Sequence, residues 1–412
     1  MAAPWTAVGV VGLVLVACQY LPAEAKLVEE RTLTTGTEFS GIIASASHPG
    51  WYWAIRDVWK QEPDPSRGVA ALPAGTDPDP VPSWCPAADQ TTATGRNRCR
   101  QVERSSLYAI RFDTAGAVAQ VRQVKVANED WATMPWLLQD NDWEELSVGP
   151  TRVVGGTPTP TMLIDATGDG TKNPAMSFDA GTGTWVNVQC ASRRMIEVTE
   201  PDPATATTWA PTRIFDLANY ATNATVTSNG TTCNSEAALG VDGASPQALW
   251  IRKGNTRTIY SRSLDVATGR DPTVDAVPRP AGDPAAPAAT IHGTVANVVA
   301  GPLFTGATYN GSQVVLITSS LDTSTNTTCQ AWLFQQTGVT DPVALLTTTT
   351  SPQAMAIKPA DVNCKSGAEG VTFQRDLSSP PALQHTFFMI RDTGSPGVLG
   401  IRVPWDTEVP AP

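Results

Sequence analysis

The chain has 412 residues, with 28 basic and 39 acidic side chains and a formal net charge of −11. Charged residues make up 16% of it, while Gly (32) and Pro (34) are abundant, a composition that argues against coiled coils, helical bundles and helical solenoids. The acidic balance argues against nucleic acid as a partner, since phosphate binding needs clustered Lys and Arg, and a hydrophobic fraction of 41% is enough for a packed core.

Residues 6–17 (TAVGVVGLVLVA) form one apolar run, too short to span a bilayer as a helix but of the length of a signal-peptide core. Two cleavage readings are open. Ala23-Glu24-Ala25 is a small-residue site that makes residues 1–25 the signal peptide. Alternatively, Leu15-Val16-Ala17-Cys18 resembles a lipobox, in which Cys18 carries the lipid. Either reading predicts a secreted or cell-surface protein, touching the membrane only through that anchor. No basic residue precedes Lys26, so the usual positive n-region is missing.

From residue 30 to 412 the sequence reads as one domain. Residues 39–43 (FSGII) begin it with strand character. Residues 60–100 carry no hydrophobic periodicity and read as a long surface insertion. Residues 107–112 and 118–126 alternate as paired strands around a turn, and residues 143–148 follow as another strand. Residues 151–161 and 201–212 read as Pro- and Thr-rich loops, and residues 214–220 (IFDLANY) as the one plausible helix. Further strands are predicted at 248–252, 258–264, 313–318, 329–334, 385–390 and 398–403, with a Pro/Ala-rich loop at 272–289.

Besides Cys18 there are six cysteines. An even set in an exported chain reads as disulfides. Pairing neighbours gives Cys85–Cys99, Cys190–Cys233 and Cys329–Cys364, one of 15 possible connectivities.

Five segments share a small or acidic residue followed by a β-run: residues 39–43, 143–148, 235–239, 304–308 and 368–373. Antiparallel units of this spacing predict an all-β fold, a single β-propeller of about six blades with five to seven possible. Two β-sandwich domains are the alternative.

The same segments resemble a family of exported bacterial β-propellers, distantly similar to propeller phytases and esterase-like phytase domains. Ser40-Gly41, Pro49 and Trp53 resemble its first-blade pattern, with Asp57 where the family has an Asp after the strand. Asp142-Trp143-Glu144-Glu145 is similar to its D-W-E-D motif, and residues 165–170 (DATGDG) to its G-D-x-G-D-N motif. Ser235-Glu236-Ala237 with Lys253 resembles its E-A-L…T-K stretch. Thr305-Gly306-Ala307 and Glu369-Gly370-Val371 resemble its last two steps.

If Glu144, Glu236 and Glu369 begin innermost strands, three carboxylates meet near one mouth of the axis, with Asp57, Asp165 and Asp169 on neighbouring loops. Such oxygen ligands suit Ca²⁺. The alternative is that the carboxylates accept backbone N–H groups and fix turns. Lys253, Arg252 and Arg257 form a candidate phosphate grip or a solvated hairpin. No G-x-S-x-G elbow occurs, and none of His48, His292 and His385 has a catalytic context. The 13 tryptophans, clustered at Trp51, Trp53 and Trp59 and at Trp131, Trp136 and Trp143, read as wedge packing between blades or as a rim for a partner. The expectation is therefore a monomeric extracellular binding module for an unidentified ligand or protein. The alternative is a metal-dependent phosphoesterase at the channel mouth.

Overall fold

The computed structural model of the protein describes residues 26–32, 39–56, 62–67, 77–112, 118–127, 142–167, 176–179, 184–187, 193–217, 237–252, 257–271, 289–298, 303–319, 329–357, 368–373, 386–391 and 397–402. Its short runs of β-branched and aromatic residues become strands because both faces find apolar neighbours. In β2 (Phe39–Ala44) every residue is buried; Ile43 packs into one apolar cluster and Ile42 and Ala44 into another on the opposite face.

Five sheets follow one another along the chain. The first runs β2, β3 (Trp51–Arg56), β4 (Leu107–Phe112) and β5 (Val118–Val126). The second runs β6 (Asp142–Val148), β9 (Thr161–Thr167), β12 (Arg193–Thr199) and β14 (Pro211–Leu217). Between β6 and β9 the hairpin β7 (Arg152–Val154) and β8 (Thr157–Thr159) is inserted, and between β9 and β12 the pair β10 (Met176–Asp179) and β11 (Thr184–Asn187). A two-residue strand, β13 (Thr208–Trp209), adds in parallel to β5 and makes the first sheet five-stranded. The third sheet is β15 (Ala237–Val241), β16 (Gln247–Ile251), β17 (Thr258–Ser263) and β18 (Thr290–Thr294). The fourth is β19 (Leu303–Tyr309), β20 (Gln313–Ser319), β21 (Cys329–Gln335) and β22 (Gln353–Ile357). The fifth joins β23 (Ala368–Phe373), β24 (Thr386–Arg391) and β25 (Gly397–Arg402) to β1 (Lys26–Thr32), paired from Lys26↔Arg402 to Thr32↔Gly397.

The first strands form a ring: β2 lies against β6 and β23, β6 against β15, β15 against β19, and β19 against β23. Sheets radiating from such a ring are a β-propeller. Apolar clusters fill the wedges between sheets. Trp51, Trp53 and Ile43 of the first pack with Trp143, Leu146 and Ile164 of the second. Leu163, Met195 and Phe215 of the second pack with Trp250 and Tyr260 of the third. Leu249 and Ile259 pack with Phe304 and Phe334 of the fourth. The tryptophans among the described residues of the two sequence clusters, Trp51, Trp53 and Trp143, are thus core residues.

Several expectations are corrected. The described residues form five such sheets rather than six, the lower bound of the expected range. Residues 214–220 do not begin a helix: Ile214 and Phe215 belong to β14 and are buried in different clusters on its two faces, a period of two. Residues 151–161 hold a hairpin whose turn at Gly155 and Gly156, both with positive φ, suits its tight reversal. The insertion at 60–100 holds helices, α1 (Ala87–Gln90) and α2 (Ala93–Arg104). A third, α3 (Pro342–Thr348), starts at an Asp341 cap with Pro at its first turn. Of the three expected disulfides, Cys85–Cys99 is formed. Cys190, Cys233, Cys364 and Cys18 lie outside the described residues, as do residues 1–25 and 272–288. No helix among the described residues is long and apolar enough to cross a membrane.

Candidate functional site

Four inner strands carry a bulge at one corresponding point, with register shifts at Phe39/Gly41, Trp143/Glu145, Phe304/Gly306 and Ala368/Gly370. The bulged residues are Ser40, Glu144, Thr305 and Glu369. The matching residue ahead of β15, Glu236, lies outside the described residues. Bulges re-aim side chains and bend a strand, and here they lie at one level: the Ser40 hydroxyl donates to the Trp143 carbonyl at 2.5 Å.

The residue after each bulge is Gly41, Glu145, Ala237, Gly306 and Gly370 in turn. A Cβ on Gly370 would stand 2.7 Å from the Ile42 nitrogen; on Gly41 it would collide with the Leu146 backbone nitrogen, and on Gly306 with the Glu369 carbonyl. Neighbouring backbones touch at these three places and leave no room for side chains. Glu145 alone of the five has a long one. Fully buried, it reaches past the neighbouring strand to β19, where its Oε2 accepts the Ala307 N–H at 3.1 Å. Its Oε1 accepts the Leu146 N–H at 3.1 Å.

Asp165 faces Glu145 in register on β9 and accepts the Trp250 indole N–H at 2.9 Å from the third sheet. Burial pushes the Glu145 carboxyl well above the usual carboxylate range. The two backbone N–H groups oppose that shift, and the Asp165 and Glu369 charges add to it.

Of the six residues expected to gather acidic ligands, Glu144 and Glu369 occupy equivalent bulges of β6 and β23, and Asp165 lies one strand outward. Asp57, Asp169 and Glu236 lie outside the described residues. Among the described residues no group of three or more His, Cys, Asp or Glu side chains is disposed to hold a metal ion. The residue missed from sequence is Glu145; the signal was its position, where three of the other four repeats have Gly.

The chain enters each inner strand at the bulge end. In an antiparallel meander the second-to-third connection returns to that end, so the insertion between β3 and β4 emerges there. Cys85–Cys99 ties α2 to the segment before α1. Glu62 clamps Arg96 and Arg100 at 2.5 and 2.9 Å, and the Arg96 contact holds the Glu62 carboxyl below its usual range. Glu103 accepts from Arg56, Trp84, Tyr108 and Gln123. Arg257, part of the candidate phosphate grip, is instead buried, donating to the Val298 carbonyl beside the Phe304 ring; Lys253 lies outside the described residues.

At the opposite end Glu200 accepts the N–H groups of Ala46 and Ser47, the Ser47 hydroxyl and the Trp53 indole. His48 Nδ1 lies 2.8 Å from Ser47 Oγ, and its Nε2 3.7 Å from Asp202. The Ser47 proton goes to Glu200, so this is a braced turn rather than an activated nucleophile. The β7–β8 hairpin also emerges here. It is anchored by Arg152 on the buried Glu197 at 2.5 Å and by Thr151 on Asp242 at 2.8 Å, and it lifts Val153 and Val154, 74% and 56% exposed, into solvent.

No protein-family model and no curated protein matches the chain. Among solved structures, a candidate exo-beta-1,3-galactanase from Bifidobacterium bifidum s17 is similar at 11% identity, over 94% of this chain and 98% of that one, with a TM-score of 0.39. That remote likeness assigns no residue a role.

Proposed function

We propose that the protein is an extracytoplasmic binding module that engages a partner at one end of the propeller. The observation that carries this reading is the β7–β8 hairpin: a short arm, fixed at its base by Arg152–Glu197 and Thr151–Asp242, that keeps two valines in water. Presenting apolar side chains on a rigid element lowers the entropic cost of a contact. The Cys85–Cys99 bond supports an oxidising compartment.

A second reading, a Ca²⁺-dependent phosphoesterase at the axis, draws support from the placement of Glu144 and Glu369 at equivalent bulges of inner strands, with Asp165 one strand outward. In that reading Glu144, Glu236, Glu369, Asp57, Asp165 and Asp169 would hold the cation.

One set of assays separates them. Labelled full-length protein is applied to glycan and peptide arrays beside a Val153→Asp/Val154→Asp variant, and p-nitrophenyl phosphate turnover is followed with and without Ca²⁺. Array binding that the variant loses, at an unchanged melting temperature, supports the module. Ca²⁺-dependent turnover that falls in Glu144→Gln overturns it in favour of the enzyme.

A further inference from the structure

We infer that the end of the propeller opposite the bulges faces a lipid bilayer, with Val153 and Val154 of the β7–β8 arm as an apolar tip that enters its surface. The inference rests on reading that arm as a contact element, and it names the partner as zwitterionic lipid.

Exposed apolar side chains are confined to this end. Among the described residues the large ones are Val153, Val154, Val266 and Ile291. Val153 and Val154 stand on the arm. Val266 lies just past β17, where that strand reaches the same end, and Ile291 is at the start of the edge strand β18, paired with Tyr260. Arg152 ties the arm to this sheet: besides gripping Glu197, its Nη2 donates to the Leu264 carbonyl at 2.7 Å, in the segment that leads to Val266. No described residue at the bulge end exposes a large apolar side chain.

The N-terminus leads to the same end. β1 begins at Lys26, which pairs with Arg402, and Arg402 pairs with Thr386. The next residue, Phe387, pairs with Phe373, the last residue of β23 and so the one farthest from its bulge. The apolar run at 6–17 therefore joins the fold, through residues 18–25, at the end where the arm stands. From Cys18 to Lys26 the chain can span at most about 26–29 Å, while the short strand β7 rises only about 10 Å. An apolar run held in a bilayer thus leaves the arm within reach of the surface.

Two weak contacts become a firm one when they share an end. One short anchor holds a protein to lipid only marginally, and stable attachment takes two signals. A tether also raises the effective concentration of the tip at the surface. Charge selects the lipid. A net charge of −11 disfavours an anionic surface. The carboxylates at this end already serve local donors: Glu200 accepts from Ala46 and Ser47, Asp242 from Thr151 and Gly243, and Asp265 from Ala267. Zwitterionic lipid is the surface that fits.

The test mixes the full-length protein, residues 1–25 included, with phosphatidylcholine vesicles carrying a photoactivatable lipid, and maps the crosslinked residues by mass spectrometry. Crosslinks on residues 151–160 are expected. Vesicle affinity should fall about tenfold or more in Val153→Asp/Val154→Asp, at an unchanged melting temperature. Should that variant fail to fold, the wild-type map decides. A map that omits residues 151–160, or equal affinity in the folded variant, overturns the inference. Array binding that the variant loses, with no vesicle binding, overturns it and leaves the arm as a contact for another partner. Neither kind of binding overturns the reading of the arm as well.

Discussion

The indole N–H of Trp250 donates to Asp165 Oδ1 at 2.9 Å, joining the second strand of one sheet to the second strand of the next through the middle of their shared wedge. Both residues are fully buried, so the pair is a polar fastener inside an apolar cluster that includes Leu163, Met195 and Tyr260. Trp250→Phe keeps most of the ring and removes the donor. It is expected to cost about 1–3 kcal/mol, the range for leaving a buried acceptor one partner short. Equilibrium urea unfolding measures the loss, and an unchanged midpoint would show that the bond contributes nothing.

Backbone contact along the axis makes a second prediction. Gly41→Ala and Gly306→Ala place a methyl group against main-chain atoms of the next strand, Leu146 nitrogen and Glu369 oxygen. Main chain cannot rotate away as a side-chain tip can. Each substitution is expected to destabilise by about 1–3 kcal/mol or more. Thermal melts read the effect, and wild-type stability in both variants would mean that the inner strands are less tightly apposed.

The disulfide of the insertion closes a short loop, with a sequence separation of 14. Cys85→Ser/Cys99→Ser should lower stability by about 3 kcal/mol in the chain-entropy account. Limited proteolysis should cut first within residues 62–104. Cleavage elsewhere at the same rate as in wild type, with no earlier cut in the insertion, would contradict the bracing role.

The Glu62 clamp predicts an acid-sensitive insertion. Hydrogen bonding from Arg96 is the largest cause of the lowered Glu62 carboxyl, followed by the opposing effect of burial and then Arg100. A depressed folded value means that the clamp is complete above the ordinary Glu range, and its contribution is lost as pH falls through the folded value. Protease susceptibility of residues 62–104 should therefore rise below about pH 4, and Glu62→Gln should show the raised susceptibility already at neutral pH.

How much of this was legible in the sequence follows from where the signals lie. The five segments beginning at Phe39, Trp143, Ser235, Phe304 and Ala368 were readable as a repeat because four of the inner strands carry the same bulge, and three of them follow it with a glycine packed against neighbouring backbone. The strand at Pro211–Leu217 was not, because Ile214, Phe215 and Leu217 suit a helical turn as well as an outer strand whose two faces are both covered. Helix α2 escaped because its buried side is largely polar: Asn97, Arg100, Gln101 and Arg104 are buried with Cys99 and Val102. A helix held by Arg–Glu pairs and a disulfide carries little hydrophobic periodicity. Glu145 escaped for a different reason. An acidic motif reads as a set of ligands, and only the touching backbones on either side make one of its members a strut.

Strand β1, residues 26–32, completes the same sheet as β23, β24 and β25, residues 368–402. During synthesis β1 has no partner until residues 397–402 have been made. Until residues 368–373 are made the circle stays open, with the flanks of β2 and β19 that face β23 uncovered. Closure of the ring therefore follows synthesis of β23, and a truncated product ending before residue 368 would expose an unsealed seam to aggregation and degradation.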